Sequence, residues 1–341
     1  MLVALAGGVG AARMLRGFAS VVDPSDITAV VNTGDDVVLH GLHISPDLDT
    51  VVYTLAGAIN PDTGWGLAGE TWAAMDALAA YGDLAWFRLG DKDLGTHLYR
   101  TNRLQAGASL SDVAGEIARR WKVPLRILPM SDDPVETRVT VEGGVEIGFQ
   151  EYFVGRRHDV PVEAIRFAGV EKARAAPGVV DAIEAAELVV ICPSNPIVSI
   201  GPILAVPRIR EALATRRPDV IAVSPLVAGR ALKGPADHMM AELGHEPSVL
   251  GVARVYADVA GALVVDGADA HLAGAIEAEG VRCLVTPTVM TGPEEAANLA
   301  RAILGFAHLS TAGRGAGAPT LRRKPGLGPR SGGRSPTSEA G

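Results

Sequence analysis

Short, wholly apolar runs recur along the chain, and most are followed by a stretch in which apolar positions return every three to four residues. LVALA (2–6), ITAVVN (27–32), AWFRL (85–89), PLRILPM (124–130), LVVIC (188–192), VIAVS (220–224), ALVVDG (262–267) and VRCLVTP (281–287) have the length and continuity of strands buried on both faces. Between them AARMLRGFAS, DTVVYTLAG, GETWAAMDALAAYG, DLGTHLYRTNRLQAG, SLSDVAGEIARRW, VVDAIEAAE, IGPILAVPRIREALATR, ADHMMAELG, HLAGAIEAEG and EEAANLARAILGFA carry helical spacing, with Ser109 placed to cap the fifth of these. The alternation predicts an α/β fold: a Rossmann-like, doubly wound, mostly parallel sheet with helices on both faces. From Val135 to Val154 the period drops to two across Gly143-Gly144, which predicts a β-hairpin, either inserted or forming an antiparallel edge. No repeat of fixed period is present.

The pattern stops near residue 312. Residues 313–341 are rich in glycine and proline, almost devoid of apolar side chains, and carry six basic residues against one acid. Such a segment cannot bury enough surface to offset its ordering entropy, so the expected organisation is one large domain over 1–312, with the hairpin inserted near 135–154, and a disordered basic tail over 313–341.

With 341 residues, 48% of them apolar, burying a core is no difficulty. The net charge is −8, and the body without its tail is more acidic still, which argues against nucleic acid as a partner. No apolar run is long enough to span a membrane, and the N-terminal MLVALAGGVGAARML lacks the cationic start of a signal peptide. Cys192 and Cys283 each sit in an apolar run, as free buried thiols do. The expectation is a cytoplasmic protein without disulfides.

The charge is unevenly spread. From Gly17 to Phe87 there are ten Asp or Glu and no Lys or Arg. Asp35 and Asp36 follow the second strand, while Ser45-Pro46-Asp47 leads into a helix expected to begin near Asp49. Carboxylates after a strand and at a helix start can converge on a hard cation such as Mg²⁺, which takes one or two carboxylates together with substrate phosphates; equally, Asp47 or Asp49 can simply cap the helix. In an open parallel sheet ligands bind beyond the carboxyl ends of the strands, so the segments there matter most. AGGVGAAR (6–13) is a glycine turn suited to a phosphate, although it is neither a full GxGxxG nor a P-loop. Arg88, Lys92 and Arg100 end the cation-free stretch. ILPMSDD is a polar strand end, and CPSNPIVSIGP offers Ser194, Asn195 and Ser199 between a strand and a helix. Arg230 and Lys233 follow the next strand.

In order and spacing, AGGVGAAR, VVNTGDDVVLHGLHISPDLDTVVYTLAG, WFRLGDKDLGTH, ILPMSDD, FQEYFVGRR and PSNPIVSIGPIL resemble the CofD family of transferases over about residues 1 to 308, closest to its actinobacterial branch, often called FbiA. These enzymes complete the phosphodiester part of the deazaflavin coenzyme F-420. The resemblance implies a Mg²⁺-dependent reaction in which the ribityl hydroxyl of Fo attacks the acid-bearing phosphorus of a guanosine diphosphate derivative of a three-carbon acid, releasing GMP. The acid is phosphoenolpyruvate in the actinobacterial branch and 2-phospho-L-lactate in archaeal relatives. It further implies Asp35 and Asp49 as metal-binding and catalytic residues, and Asp49, Arg88 and Lys92 beside Fo or the transferred phosphate. Gly7, Gly8, Val9, Gly10, Ser194, Asn195 and Ser199 would lie around the nucleotide, and the assembly would be a homodimer. Two competing readings are a regulatory protein resembling YvcK that binds a uridine diphosphate sugar and a nicotinamide dehydrogenase. Asn32, standing where an acidic ribose ligand might be sought, weakens the second.

Overall fold

The computed structural model describes residues 1–82, 86–312 and 321–322. Walking the chain, β1 (Leu2–Ala6) runs through a glycine turn into α1 (Gly8–Val21), and β2 (Ile27–Val31) is followed by a small hairpin, β3 (Val37–Leu39) and β4 (Leu42–Ile44). Helices α2 (Pro46–Leu55), α3 (Ala73–Ala79), α4 (Asp93–Gln105) and α5 (Leu110–Arg120) precede β5 (Arg126–Pro129). The excursion β6 (Glu136–Val141), β7 (Val145–Gly148) and β8 (Val162–Ala168) leads to α6 (Val179–Ala185) and β9 (Leu188–Ile191). Then come α7 (Gly201–Ala205), α8 (Ile209–Thr215), β10 (Val220–Val223) and the short pair β11 (Leu226–Val227) and β12 (Arg230–Ala231). The chain closes with α9 (Ala236–Glu242), α10 (Val249–Tyr256), β13 (Ala262–Val265), α11 (Ala273–Ala278), β14 (Arg282–Val285) and α12 (Pro293–Ala312).

Seven strands form one wholly parallel sheet in the order β14-β13-β10-β9-β1-β2-β5. Side chains alternate across it as the pleat requires. Val3 and Leu5 of β1 face the core built with α6 to α11, whereas Leu2, Ala4 and Ala6 face the core built with α1, α2, α5 and α12. Burial on both faces explains why these strands read as unbroken apolar runs. Strand order reverses beside β1: the chain proceeds to β2 and β5 on one side, and to β9, β10, β13 and β14 on the other. The β1–β9 junction is therefore a topological switch point, the place where open α/β sheets bind ligands.

The Ser109 cap forms as expected, its hydroxyl accepting from the Asp112 amide at 3.1 Å. Gly143 and Gly144 take φ of +86° and +75°, the left-handed pair of a tight hairpin turn. The resulting β7-β6-β8 sheet is separate from the main one, so the hairpin is an insertion and not an edge.

Three local expectations change. AWFRL forms no strand among its described residues 86–89, and 83–85 lie outside the described residues. IGPILAVPRIREALATR divides into α7 and α8 at Val206-Pro207-Arg208, because Pro207 cannot continue the helical bonding and Arg208 adopts φ +71°. The alternation predicts no element between ADHMMAELG and ALVVDG, where VLGVARVY forms α10. Of the tail, Leu321 is buried against the core and the Arg322 carbonyl accepts from the Asp23 amide at 2.9 Å, so this dipeptide is docked; the rest of 313–341 lies outside the described residues. Among the described residues no helix is long and apolar enough to cross a membrane. Cys192 and Cys283 are free thiols.

Candidate active site

A cavity of about 620 Å³, within the range of small-molecule sites, opens at the carboxyl ends of β1, β2 and β9. Its floor begins with the glycine turn. Gly8 has φ +71°, and a Cβ on Gly10 would lie 2.2 Å from the Pro193 carbonyl oxygen, so neither position tolerates a side chain. Gly7 at the N-cap has no side chain to offer α1, so Gly7, Val9 and Gly10 line the cavity wall at the positive end of a 14-residue helix whose first amide, that of Gly8, is taken by the Asp47 carboxylate. Ser194 ties this turn to the loop after β9 by donating to the Gly7 carbonyl at 2.7 Å. Asn195 caps the helical turn Pro196–Ile200 through the amides of Ile197 and Val198. Ser199 lines the cavity beside Gly7.

The acidic centre lies alongside. Asp35, just beyond β2, and Asp47, in the first turn of α2, both line the cavity, and both accept from Asn32 Nδ2, at 3.3 Å and 2.9 Å. Gln150 Nε2 donates to Asp35 Oδ2 at 3.0 Å, and the Gly8 amide supports Asp47. No Lys or Arg side chain forms an ion pair with either carboxylate among the described residues. Burial, then the charges of Asp47 and Asp36, hold Asp35 well above the ordinary carboxylate range. Burial lifts Asp47 from 3.8 to about 6, with the bonds from Asn32 and Gly8 opposing. Asp36 next to them is also raised by burial; Ser45 donates to its Oδ2 at 2.6 Å, and its Oδ1 has no partner among the described residues.

Asp49 is not part of this wall. It is buried behind it, clamped by both terminal nitrogens of Arg100, one at 3.1 Å. His97 Nδ1 lies 3.7 Å from Asp49, and His97 Nε2 lies 3.2 Å from Asp93, which also accepts from Tyr53 at 2.5 Å. Asp49, Asp93 and His97 have the side-chain types of a metal site, but the Arg100 guanidinium already supplies the cation. Helix register decides which carboxylate faces out. The helix begins at Pro46, a position proline favours, not near Asp49, and residues two apart point about 200° from one another. If Asp47 faces the cavity, Asp49 cannot.

Lys92 is also elsewhere: its Nζ donates to the Ala68 carbonyl at 3.1 Å, outside the cavity lining. Arg88 does line the cavity, paired with Asp76 at 2.6 Å and stacked 5.1 Å from the Trp72 ring. The aromatic wall opposite was not anticipated. Phe149, Phe153 and His158 form a stacked ladder with centroid spacings of 5.5 Å and 5.3 Å, and Trp65 and Phe87 complete the apolar lining. Arg157, held at φ +53°, lies beside the ladder on the same wall. The motif FQEYFVGRR contains this signal, but only the fold brings it to the glycine turn.

The cavity thus joins a glycine turn, two buried carboxylates without a basic partner among the described residues and an aromatic wall. The family model for 2-phospho-L-lactate transferase CofD matches residues 2–282. The chain belongs to the CofD family. It is a transferase. Proteins named phosphoenolpyruvate transferase are similar to it along most of their length. One from Kitasatospora aureofaciens is 47% identical over 312 residues, covering 90% of this chain and 97% of that protein. One from Mycolicibacterium smegmatis is 43% identical over 324 residues, covering 91% and 99%. A UPF0052-family protein from Bacillus halodurans shares the fold, with a TM-score of 0.56 at 18% identity over 89% of this chain and 98% of that one.

Proposed function

We propose that this CofD-family transferase moves a phosphoenolpyruvyl group from a guanosine diphosphate donor to the terminal ribityl hydroxyl of Fo, releasing GMP and forming the dehydro form of coenzyme F-420-0. The observation that carries the reading is the Asp35–Asp47 pair between the glycine turn and the aromatic ladder: two buried carboxylates share one amide donor and have no cation. Burial holds both above the ordinary carboxylate range, so a cation between them would relieve the cost of their charge, and the all-oxygen donor set suits Mg²⁺. Asp35 and Asp47 would hold the ion, which when bound offsets the charge of the diphosphate and of the transferred phosphorus. Asp49 keeps Arg100 in place and so fixes the helix that presents Asp47.

In the reaction one oxygen–phosphorus bond forms to the ribityl chain, the bond to GMP breaks, and the hydroxyl proton is released. Transfer at phosphorus needs the attacking and leaving oxygens in line and asks mainly for alignment and charge stabilisation. The chain's own groups meet that demand. The glycine turn and the α1 N-terminus hold donor phosphates, and Ser199 offers a hydroxyl beside them. The ladder of Phe149, Phe153 and His158 gives the deazaflavin ring a stacking surface, with Arg157 and Arg88 toward its anionic neighbours. The preference for the enolpyruvyl donor rests on the similarity to actinobacterial proteins of that name. The test is turnover of Fo and Mg²⁺ with the phosphoenolpyruvyl and the phospholactyl donors in parallel, following GMP and product mass. Faster product formation with the first supports the reading, faster formation with the second reassigns the donor, and no product from either refutes the transferase assignment to these substrates.

A further inference from the structure

Lys233, which follows the β11–β12 pair, reaches back over the glycine turn and lines the cavity without a carboxylate partner among the described residues. Its Nζ donates to the Thr63 carbonyl at 3.1 Å. Thr63 belongs to a self-bonded turn: the Gly64 amide donates to the Asn60 carbonyl at 2.9 Å, the Asn60 amide to the Gly66 carbonyl at 3.0 Å, and the Thr63 hydroxyl to the Trp65 carbonyl at 2.6 Å. Gly64 takes φ +77°, and a Cβ there would stand 3.0 Å from Lys233 Nζ and 3.3 Å from Val9. The turn, the lysine and the side chain of Val9 in the first turn of α1 therefore meet at one point. Partial desolvation at the cavity mouth and the charge of Arg13 both lower the proton affinity of Lys233, the response of an ammonium lacking an anion. A neutral carbonyl is a weak partner for an ammonium; two phosphates are a strong one.

We propose that Lys233 is the cation that receives the donor's diphosphate, and that its bond to Thr63 is a latch released when the donor binds. This rests on the donor reading above and assigns to that site a residue and a movement. Because the 60–66 turn is bonded within itself, it shifts as a unit once Thr63 is let go. Trp65, half-exposed on the cavity wall, moves with it and opens space on the acceptor side. The donor thereby prepares the site for the second substrate.

The experiment uses the full chain and GDP as probe, with Lys233→Gln, Lys233→Arg and a Trp65→Phe control. Lys233 is exposed, so these variants fold. Lys233→Gln is expected to weaken GDP binding and raise the donor KM by about tenfold or more, the scale of one charge-assisted hydrogen bond, with the acceptor KM at saturating donor little changed and Lys233→Arg restoring affinity. GDP is expected to change the indole fluorescence of the wild type, and to change it neither in Trp65→Phe nor, at saturating GDP, in Lys233→Gln. An unchanged GDP affinity in Lys233→Gln overturns the phosphate assignment, and a full Trp65 response in that variant overturns the latch. Lys233-dependent GDP binding by a wild type that makes no product would refute the substrates named above while supporting Lys233 as the phosphate cation.

Discussion

Replacing Asp47 by Asn should make the metal-free protein more stable, and the reason is electrostatic. The Asp47 carboxyl titrates at about 6 where an ordinary aspartate titrates at 3.8. Since each tenfold is worth about 1.4 kcal/mol, ionising this buried group costs the folded state about 3 kcal/mol at pH 8. Asparagine has nearly the same shape but loses one acceptor, toward Gly8 or Asn32, at a cost of about 1 kcal/mol. The net expectation is a gain of about 2 kcal/mol, or about 3 °C in Tm for a chain of this size. The sign with pH follows. The folded carboxyl holds a proton that the unfolded one has lost between pH 3.8 and about 6, so the wild type gains stability as pH falls through that window and the penalty is complete above it. Asp35 and Asp36 are raised in the same direction and steepen the trend. The assay is thermal unfolding in chelator at pH 8 and pH 5, then at pH 8 with Mg²⁺. Asp47→Asn should exceed the wild type in chelator at pH 8, show a flatter pH response and gain less from Mg²⁺. Equal or lower stability in chelator with an unaltered pH response would refute the view of Asp47 as an uncompensated charge.

Other substitutions separate the roles of the neighbouring groups. Asp35→Asn should raise the Mg²⁺ concentration needed for half-maximal turnover without loss of stability. Asp49→Asn should raise that concentration less than Asp35→Asn does and destabilise the fold by about 3–5 kcal/mol in denaturant unfolding, because it strands the buried Arg100. Phe153→Ala breaks the ladder at its middle and removes a stacking contact of about 0.5–1.5 kcal/mol, so the acceptor KM should rise about two- to tenfold with the donor KM unaffected. Gly10→Ala drives a methyl against the Pro193 carbonyl and should cost about 1–3 kcal/mol of stability, together with donor affinity measured by GDP titration.

Much of the site was legible because strand ends are legible. Once LVALA, ITAVVN and LVVIC are read as parallel strands, the glycine turn, Asp35 and the Ser194–Ser199 segment are placed at one edge of the sheet, and the structure brings Gly7, Asp35 and Ser199 to one cavity. The choice between Asp47 and Asp49 was not legible. Expecting the helix to begin near Asp49 leaves the direction of both carboxylates open, and the start at Pro46 sets them on opposite sides. AWFRL misled for a related reason: a short apolar run has the same composition whether it pairs with a sheet or, like Phe87 and Leu89, packs beneath a small hairpin.

The sequence by itself determined the layers of this protein, its parallel sheet, its inserted hairpin and the acidity of one face, because these depend on periodicity and composition within short windows. Tertiary structure alone decided which charges meet. Arg100 pairs with Asp49 across 51 positions and Gln150 with Asp35 across 115, while the aromatic ladder faces a glycine turn some 140 residues earlier in the chain. Such pairings are set by where packed helices and the inserted sheet come to rest, which is also what leaves Asp35 and Asp47 without a basic partner among the described residues while Asp49 has one.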